Sequence, residues 1–259
     1  ARAQAIANAD LSAVPLAIAA TREALQSAGV ALQEADLEAK RSWGVILGSY
    51  GGESPDCRMT CLLLNDIVAL DAGSLSQALP IERQRQVQSI VLTHSHMDHT
   101  SSLPFFIENV YGKLRDAVDI YASAATIYAI RKNLFNNDVW PDFTRLPNHL
   151  LPVMRFHELA EEMPIEIEGL RFTPVSVNHP VPTFGYLIED GVSALLWSSD
   201  TGPTKRLWEI ANRTEKLRGV WIDTSFDNAL QPIADVSGHL TPQTLALELK
   251  QLTRRVPVL

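Results

Sequence analysis

The sequence predicts an α/β fold for residues 43–259, and three observations support this prediction. Apolar, β-branched runs of strand length alternate with amphipathic stretches of helical length throughout this region. One such run, Ser89–Thr93, leads directly into a segment in which metal-capable side chains are concentrated. Reactive polar residues also follow two later apolar runs. Because the ligands of α/β sheets gather where strands end, these positions predict one functional site at a sheet edge.

Residues 1–42 differ in character from the rest of the chain. They are rich in alanine, and Pro15 and Gly29 stand where a helix over 14–28 would begin and end. A second, shorter helical piece is expected to follow. We therefore predict two parts: a helical extension over 1–42, foreign or fused to the rest, and an α/β domain over 43–259.

The elements of the α/β domain follow in chain order. We predict strands over residues 43–47, 59–64, 67–70, 89–93, 118–121, 165–167, 172–177, 184–188, 194–197 and 220–223. We predict helices over residues 105–111, 124–134 and 244–252, one that begins near Pro203, and a partly helical connection over 76–87. The apolar residues 256–259 resemble the start of a further strand.

Residues 94–99 read His-x-His-x-Asp-His and place four metal-capable side chains within six positions. Since successive strand residues point to opposite faces, at least some of the four must lie on a bent loop. Such a loop can aim His94 and His96 at one ion, and Asp98 and His99 at a neighbouring ion. Imidazole nitrogen combined with carboxylate oxygen suits zinc, and also manganese or iron. Three of the seven histidines fall here, which makes a chance polar loop a poor explanation.

Two later strand ends carry further reactive groups. His179 lies at a strand end beside prolines that stiffen it, and Asp200 follows the apolar strand 194–197. Together with the first cluster, they supply a third ligand for one ion and a bridge between two ions. Asp71 ends another strand, where it either orients a ligand histidine or serves only as a turn residue. The sequence leaves both interpretations of Asp71 open.

The composition is that of an ordinary globular protein. The chain has 259 residues, of which 46% are hydrophobic and 20% are charged, and a net charge of −8. This acidic balance argues against a large nucleic-acid surface, but not against a small anion held by metal ions. Cys57 and Cys61 are expected to be small apolar core residues in a reducing compartment. No membrane span or signal peptide is recognisable, so we expect a cytoplasmic protein.

Several motifs together resemble a known family. The segments Thr93–His99, Asn178–His179, Ser199–Gly202 and Gly238–Thr241 occur in the order of the metallo-β-lactamase superfamily. The chain is similar in particular to bacterial class II 3′,5′-cyclic-nucleotide phosphodiesterases, relatives of the tRNA 3′-processing endonucleases. Further points of similarity are the segments 48–52, 140–143, 199–204 and 223–226. The resemblance spans 43–259 and implies an αββα sandwich, with helices outside two facing sheets and the metals at one edge.

A second resemblance concerns the beginning of the chain. Residues 1–48 contain segments similar to an early part of β-ketoacyl synthases, namely 15–25, 28–30 and 43–48. None of that family's catalytic Cys or His motifs is included, so this resemblance implies no activity.

The superfamily resemblance also implies a set of metal ligands. Six positions match them: His94, His96 and His179 for a first metal, Asp98 and His99 for a second, and Asp200 as the bridge. His239 matches a histidine that acts near the leaving group. The family normally has one further histidine for the second metal. No histidine follows His239 before Leu259, so we expect the second site to be one ligand short.

The implied reaction is hydrolysis of a small anionic phosphodiester, such as a cyclic nucleotide, by a hydroxide held between two zinc ions. Manganese or iron in place of zinc would support the same chemistry. Asp98 would orient the nucleophile as well as bind metal, and His239 would protonate the departing ribose oxygen. Neither a membrane nor a large nucleic acid is an expected partner, whereas the N-terminal helix and the final strand would suit homodimer contacts.

Two alternatives compete with the phosphodiesterase hypothesis. The same scaffold supports hydrolysis of carboxyl esters, lactones or thioesters, because a metal-activated water attacks all of them. Alternatively, the chain is a truncated or chimeric product that binds metal and turns over poorly. Metal content measured together with activity separates the three possibilities.

Overall fold

The computed structural model describes residues 44–114, 116–148 and 150–259, so the helical extension predicted over 1–42 lies outside the described residues. The strands are β1 (Gly44–Gly48), β2 (Cys61–Leu64), β3 (Val68–Leu70), β4 (Ser89–Val91), β5 (Val118–Ser123), β6 (Pro147–Asn148), β7 (Leu151–Pro152), β8 (Met154–Leu159), β9 (Ile165–Ile167), β10 (Leu170–Ser176), β11 (Phe184–Glu189), β12 (Ala194–Trp197) and β13 (Leu217–Trp221).

The helices are α1 (Leu75–Ala78), α2 (Ile81–Gln84), α3 (Met97–Thr100), α4 (Leu103–Val110), α5 (Ala124–Asn133), α6 (Arg206–Arg213), α7 (Gln231–Ser237) and α8 (Pro242–Glu248). Short 3₁₀ turns cover Asn228–Leu230 and Leu249–Gln251. The α/β fold is confirmed, but the strands β6, β7 and β8 and the helix α7 were not predicted from the sequence.

Two sheets form the centre of the domain. The first has the strand order β1-β2-β3-β4-β5-β8, and the second has the order β13-β12-β11-β10-β9. Strands β3, β4, β5 and β8 run parallel to their neighbours in that part of the first sheet. The second sheet is antiparallel except for the parallel pair β12 and β13. The strands β6 and β7 make a separate small hairpin.

The buried side chains form the layers of a sandwich. In β2, Cys61 and Leu63 face the helices α1, α4 and α5, whereas Leu62 and Leu64 face the second sheet. This alternation follows from the period of two in a strand, and every side chain of β2 is buried because both faces are covered. A third cluster lies on the outer face of the second sheet, where Leu207 and Trp208 of α6 pack. The predicted αββα sandwich is therefore confirmed.

Some boundaries differ from the predicted ones. The last helix starts at Pro242 rather than Thr244, because Thr241 caps its first turn and proline is favoured at the first helical position. It then ends at Glu248 and gives way to a 3₁₀ turn. The helix predicted near Pro203 begins at Arg206.

The final residues add to the second sheet. Val258 pairs in parallel with Val220 of β13, and Leu259 accepts a hydrogen bond from the backbone of Ile222. Of the strand start predicted over 256–259, the structure therefore shows a single β-bridge at Val258 rather than a strand. Within the described residues, no helix is both long and apolar enough to cross a membrane.

Candidate active site

The His-x-His-x-Asp-His segment begins just beyond the end of β4. His94 and His96 lie in the connection that leaves the strand, and Asp98 and His99 lie in the single turn of α3. His96 keeps an extended backbone at the start of that turn, with φ −64° and ψ 151°. The change from extended to helical backbone turns all four side chains towards one region. The bent loop predicted from the residue spacing is therefore present.

Two strand ends of the second sheet and one connection between helices supply the remaining groups. His179 follows β10, Asp200 follows β12, and His239 lies between α7 and α8. Hydrogen bonds tie these segments together: the backbone of Gly202 donates to the carbonyl of Asn178 at 2.7 Å. The two sheets thus meet at one edge, where the site residues predicted from the sequence come together.

One set of side chains consists of His94, His96, His179 and Asp200, whose donor atoms all lie within 4.8 Å of one another. The Nδ1 atom of His96 is 3.2 Å from Nε2 of His179. The Nε2 atom of His94 is 3.8 Å from an oxygen of Asp200. Three imidazoles and a carboxylate that converge in this way can hold one divalent ion.

A second set shares Asp200 with the first and adds Asp98 and His99. The Nε2 atom of His99 lies 3.3 Å from Asp200 Oδ1 and 3.8 Å from Asp98 Oδ2. A carboxylate with one oxygen near each set is placed to bridge two ions.

Two buried nitrogen atoms provide a direct test of whether metal ions fit here. Nε2 of His94 and Nε2 of His99 are buried and make no hydrogen bond within the described part of the chain. A buried polar atom without a partner is costly, by about 1–3 kcal/mol. Both atoms face carboxylates of the two sets, so a cation would satisfy them. The residues present therefore fit divalent metal ions.

Asp71 orients one of these histidines, which decides between the two interpretations that the sequence left open. Its buried carboxylate accepts a hydrogen bond from Nδ1 of His99 at 2.7 Å and another from the backbone of Thr93 at 2.8 Å. The hydroxyl of Thr93 also donates to Asp71, and lies 3.0 Å from Nδ1 of His94. Both histidines are thus held by Nδ1, which leaves Nε2 free to bind a metal.

The pKa shifts in the site follow from burial and from the neighbouring charges. Burial lowers the pKa of His94 and of His179, which keeps both rings neutral. Although burial acts in the opposite direction, Asp71 and Asp200 hold the pKa of His99 well above its ordinary value. Burial likewise opposes the shift of Asp200, whose pKa is nevertheless lowered by His99 and other nearby imidazoles. A metal ion at His99 would therefore have to displace a proton.

His239 stands beside the shared carboxylate. Its Nε2 atom is 4.0 Å from Asp200, and its Nδ1 atom donates to Asp223 at 2.7 Å. Burial opposes the shift, but the hydrogen bond to Asp223 raises the pKa of His239. The ring is therefore oriented with Nε2 towards the two donor sets and is favoured in its protonated form.

Asp223 is a site residue to which the sequence reasoning assigned no role. Asp223 opens one of the segments that resemble the family, and it follows an apolar strand just as Asp200 does. The hydroxyl of Ser198 connects the two strand ends, because it accepts from the backbone of Asp223 at 3.0 Å and donates to the carbonyl of Ser199 at 2.7 Å. The position of Asp223 at a strand end was the signal available in the sequence.

Comparisons with known proteins agree with this geometry. Residues 63–259 match the family described as "Beta-lactamase superfamily domain". A "Probable 3′,5′-cyclic-nucleotide phosphodiesterase" of Yersinia pestis is 30% identical over 256 residues, covering 80% of this chain and 71% of the relative. A "3′,5′-cyclic-nucleotide phosphodiesterase" of Aliivibrio fischeri is 26% identical over 252 residues, covering 80% of this chain and 74% of the relative.

Solved structures show the same architecture. The metallo-beta-lactamase fold protein YhfI from Bacillus subtilis superposes with a TM-score of 0.67 at 15% sequence identity, and 82% of each chain is covered. The motifs, the sandwich and the paired donor sets lead to one conclusion. This chain belongs to the beta-lactamase superfamily and is a hydrolase with the metallo-beta-lactamase fold.

Proposed function

We propose that this chain is a metal-dependent phosphodiesterase that hydrolyses a 3′,5′-cyclic nucleotide or a similar small phosphodiester. The observation that carries the proposal is the hydrogen-bonded pair of His239 and Asp223 beside two donor sets that share Asp200. Phosphodiester hydrolysis needs both features. Metal ions held by the donor sets would offset charge on the phosphoryl oxygens, and His239 would supply the proton with which a basic alkoxide must leave. The names of the two bacterial relatives support the same reaction.

Membership of the superfamily implies divalent-metal binding, and the donor sets fit it. We assign His94, His96, His179 and Asp200 to one ion, and Asp98, His99 and Asp200 to the other. Zinc suits this mixture of imidazole and carboxylate, and manganese or iron would use the same donors. When bound, the ions would lower the pKa of a water molecule and offset charge on the phosphoryl oxygens.

The remaining steps belong to the side chains of this chain. Asp98 lies at the solvent side of its set, where it would accept a hydrogen bond from the attacking water and aim that water at phosphorus. His239 would give its Nε2 proton to the departing ribose oxygen. Asp223 would hold the imidazole ring of His239 in the orientation that this transfer requires.

Replacement of His96 tests the proposal. We expect His96→Ala to abolish hydrolysis of bis(p-nitrophenyl) phosphate by the metal-loaded protein, because the first donor set loses one of its imidazoles. His157→Ala is a matched control, since His157 bonds to Asp119 on the first sheet and takes no part in either set. Full activity of the His96 variant would contradict the proposal. Parallel assays with a cyclic nucleotide and a carboxyl ester identify the bond that is hydrolysed.

A further inference from the structure

Phe226 is an aromatic residue beside the proposed proton donor that has no evident place in the core. Its ring is partly exposed and belongs to none of the three hydrophobic clusters found among the described residues. Instead, it contacts His239 with ring centroids 5.5 Å apart and an angle of 70° between the ring planes. An aromatic ring that is left partly open to solvent at a site is available to a ligand.

The backbone on both sides of Phe226 is fixed. The hydroxyl of Ser225 donates to Asp223 at 2.5 Å. On the other side, the carboxylate of Asp227 accepts from the backbone of Ala229 at 2.9 Å and caps the following 3₁₀ turn. The ring is thus presented from an ordered segment, so ligand binding would order few additional groups.

The position of the ring relative to His239 determines what it can contact. This step rests on the proposed function, in which His239 protonates the departing ribose oxygen. Both ester oxygens of a 3′,5′-cyclic nucleotide belong to the same ribose, so the nucleoside must lie on the His239 side of phosphorus. Phe226 lies directly against the imidazole of His239, so its ring borders the site on that side.

We propose that Phe226 is a nucleoside-binding residue that stacks against the base of the bound nucleotide. Stacking on an aromatic ring suits this task, because every base has a π face and each stacked base strengthens binding by roughly 5- to 150-fold. The contact selects for a nucleobase without reading the hydrogen-bonding groups on its edge. The residue therefore favours cyclic nucleotides over phosphodiesters that lack a base.

A binding comparison tests this inference without requiring turnover. The two ligands are adenosine 5′-monophosphate, the product expected when the 3′ ester bond breaks, and ribose 5-phosphate, which lacks only the base. Isothermal titration of both into the metal-loaded wild-type protein should show tighter binding of the nucleotide by about tenfold or more. Phe226→Leu, which keeps an apolar contact for His239, should reduce this preference to within about threefold. Phe226→Trp should retain it.

Tyr128→Leu is the matched control, because it removes an exposed aromatic ring of α5 that lies outside both donor sets. It should leave the preference for the nucleotide unchanged. Any of three results would overturn the inference. The wild-type protein could bind both ligands equally well, Phe226→Leu could still prefer the nucleotide, or Phe226→Leu could lose affinity for both ligands by the same factor. The last result would mean that the ring acts only by positioning His239.

The same proteins separate this inference from the proposed function. Hydrolysis of cyclic AMP is measured alongside binding. Suppose that the wild-type protein does not hydrolyse cyclic AMP but prefers the nucleotide, and that Phe226→Leu loses this preference. This result would refute the phosphodiesterase assignment and leave the nucleotide site in place. If the wild-type protein hydrolyses cyclic AMP but shows no preference for the nucleotide, the phosphodiesterase assignment stands and the role of Phe226 is refuted.

Discussion

Replacement of Asp71 by asparagine changes one acceptor oxygen into a donor while keeping the shape of the side chain. The carboxylate of Asp71 accepts from Nδ1 of His99, from the backbone of Thr93 and from the hydroxyl of Thr93, at distances between 2.7 and 3.0 Å. Every neighbour on both of its oxygens is a donor. An amide group therefore cannot satisfy them all, whichever way it is turned.

The consequence for the metal site follows from the tautomer of His99. If the amide nitrogen faces Nδ1 of His99, Nδ1 must give up its proton to accept that hydrogen bond, and the neutral ring keeps its proton on Nε2, the atom that faces Asp98 and Asp200. A proton there competes directly with a metal ion. Loss of such a second partner typically weakens metal binding by about 10- to 100-fold. We expect Asp71→Asn to weaken zinc binding at the proposed Asp98, His99 and Asp200 site by this factor, and zinc binding at the other proposed site much less.

The same substitution has a cost in stability. Asp71 is fully buried, so its charge-assisted hydrogen bonds are not screened by solvent. Loss of one such bond costs about 1.5–3 kcal/mol, and we expect the metal-free variant to lose about that much free energy of unfolding. Urea unfolding measures this value, and zinc titration against a chelating dye measures the affinities.

Asp66→Asn is the control for this experiment. Asp66 also pairs with a basic side chain, Arg83, but its side chain is 33% exposed and belongs to neither donor set. It should change stability by less than about 1 kcal/mol and leave zinc binding unchanged. The reasoning would be refuted if Asp71→Asn bound two zinc ions with wild-type affinity.

Two further substitutions probe the proton donor and the wall of the site. His239→Ala should reduce hydrolysis of cyclic AMP by about 10²- to 10⁴-fold, but that of bis(p-nitrophenyl) phosphate far less, because nitrophenolate leaves without a proton; equal losses in kcat/KM would exclude a proton-donor role. Gly51→Ala would place a Cβ atom 3.3 Å from the Asp98 carboxylate, whereas Gly52→Ala meets nothing within 4 Å. We expect the first to lower kcat/KM by about three- to tenfold and the second to have no effect; the opposite order would show that the contact is irrelevant.

Local spacing made part of the site predictable from the sequence. Two histidines separated by one residue, followed by an aspartate and a histidine, can share a site only on a bent segment, and β4 delivers them to such a bend. His179 and Asp200 were found by another rule, that strand ends meet at one sheet edge. Both rules depend on short stretches of chain, and the structure brings all of these residues together.

Contacts that depend on tertiary packing were not predictable in the same way. The bond between His239 and Asp223 joins residues on either side of α7, and its formation depends on how that helix packs. Gly51 approaches Asp98 only because the connection between β1 and β2 passes over α3. Neither contact leaves a characteristic residue spacing or periodicity in the sequence. The sequence could suggest the residue types, but not which ring nitrogen or carboxylate oxygen would form each hydrogen bond.

The backbone conformation at two positions shows how the protein shapes the site. Asp71 and Ser199 have φ values of 60° and 58°, in the left-handed region that residues other than glycine seldom occupy. Such conformations cost roughly 1–3 kcal/mol and persist where the surrounding structure enforces them. One turns a carboxylate back to His99, and the other precedes Asp200. Together with the contacts that hold His94 and His99 by Nδ1, these two backbone conformations orient side chains of both donor sets.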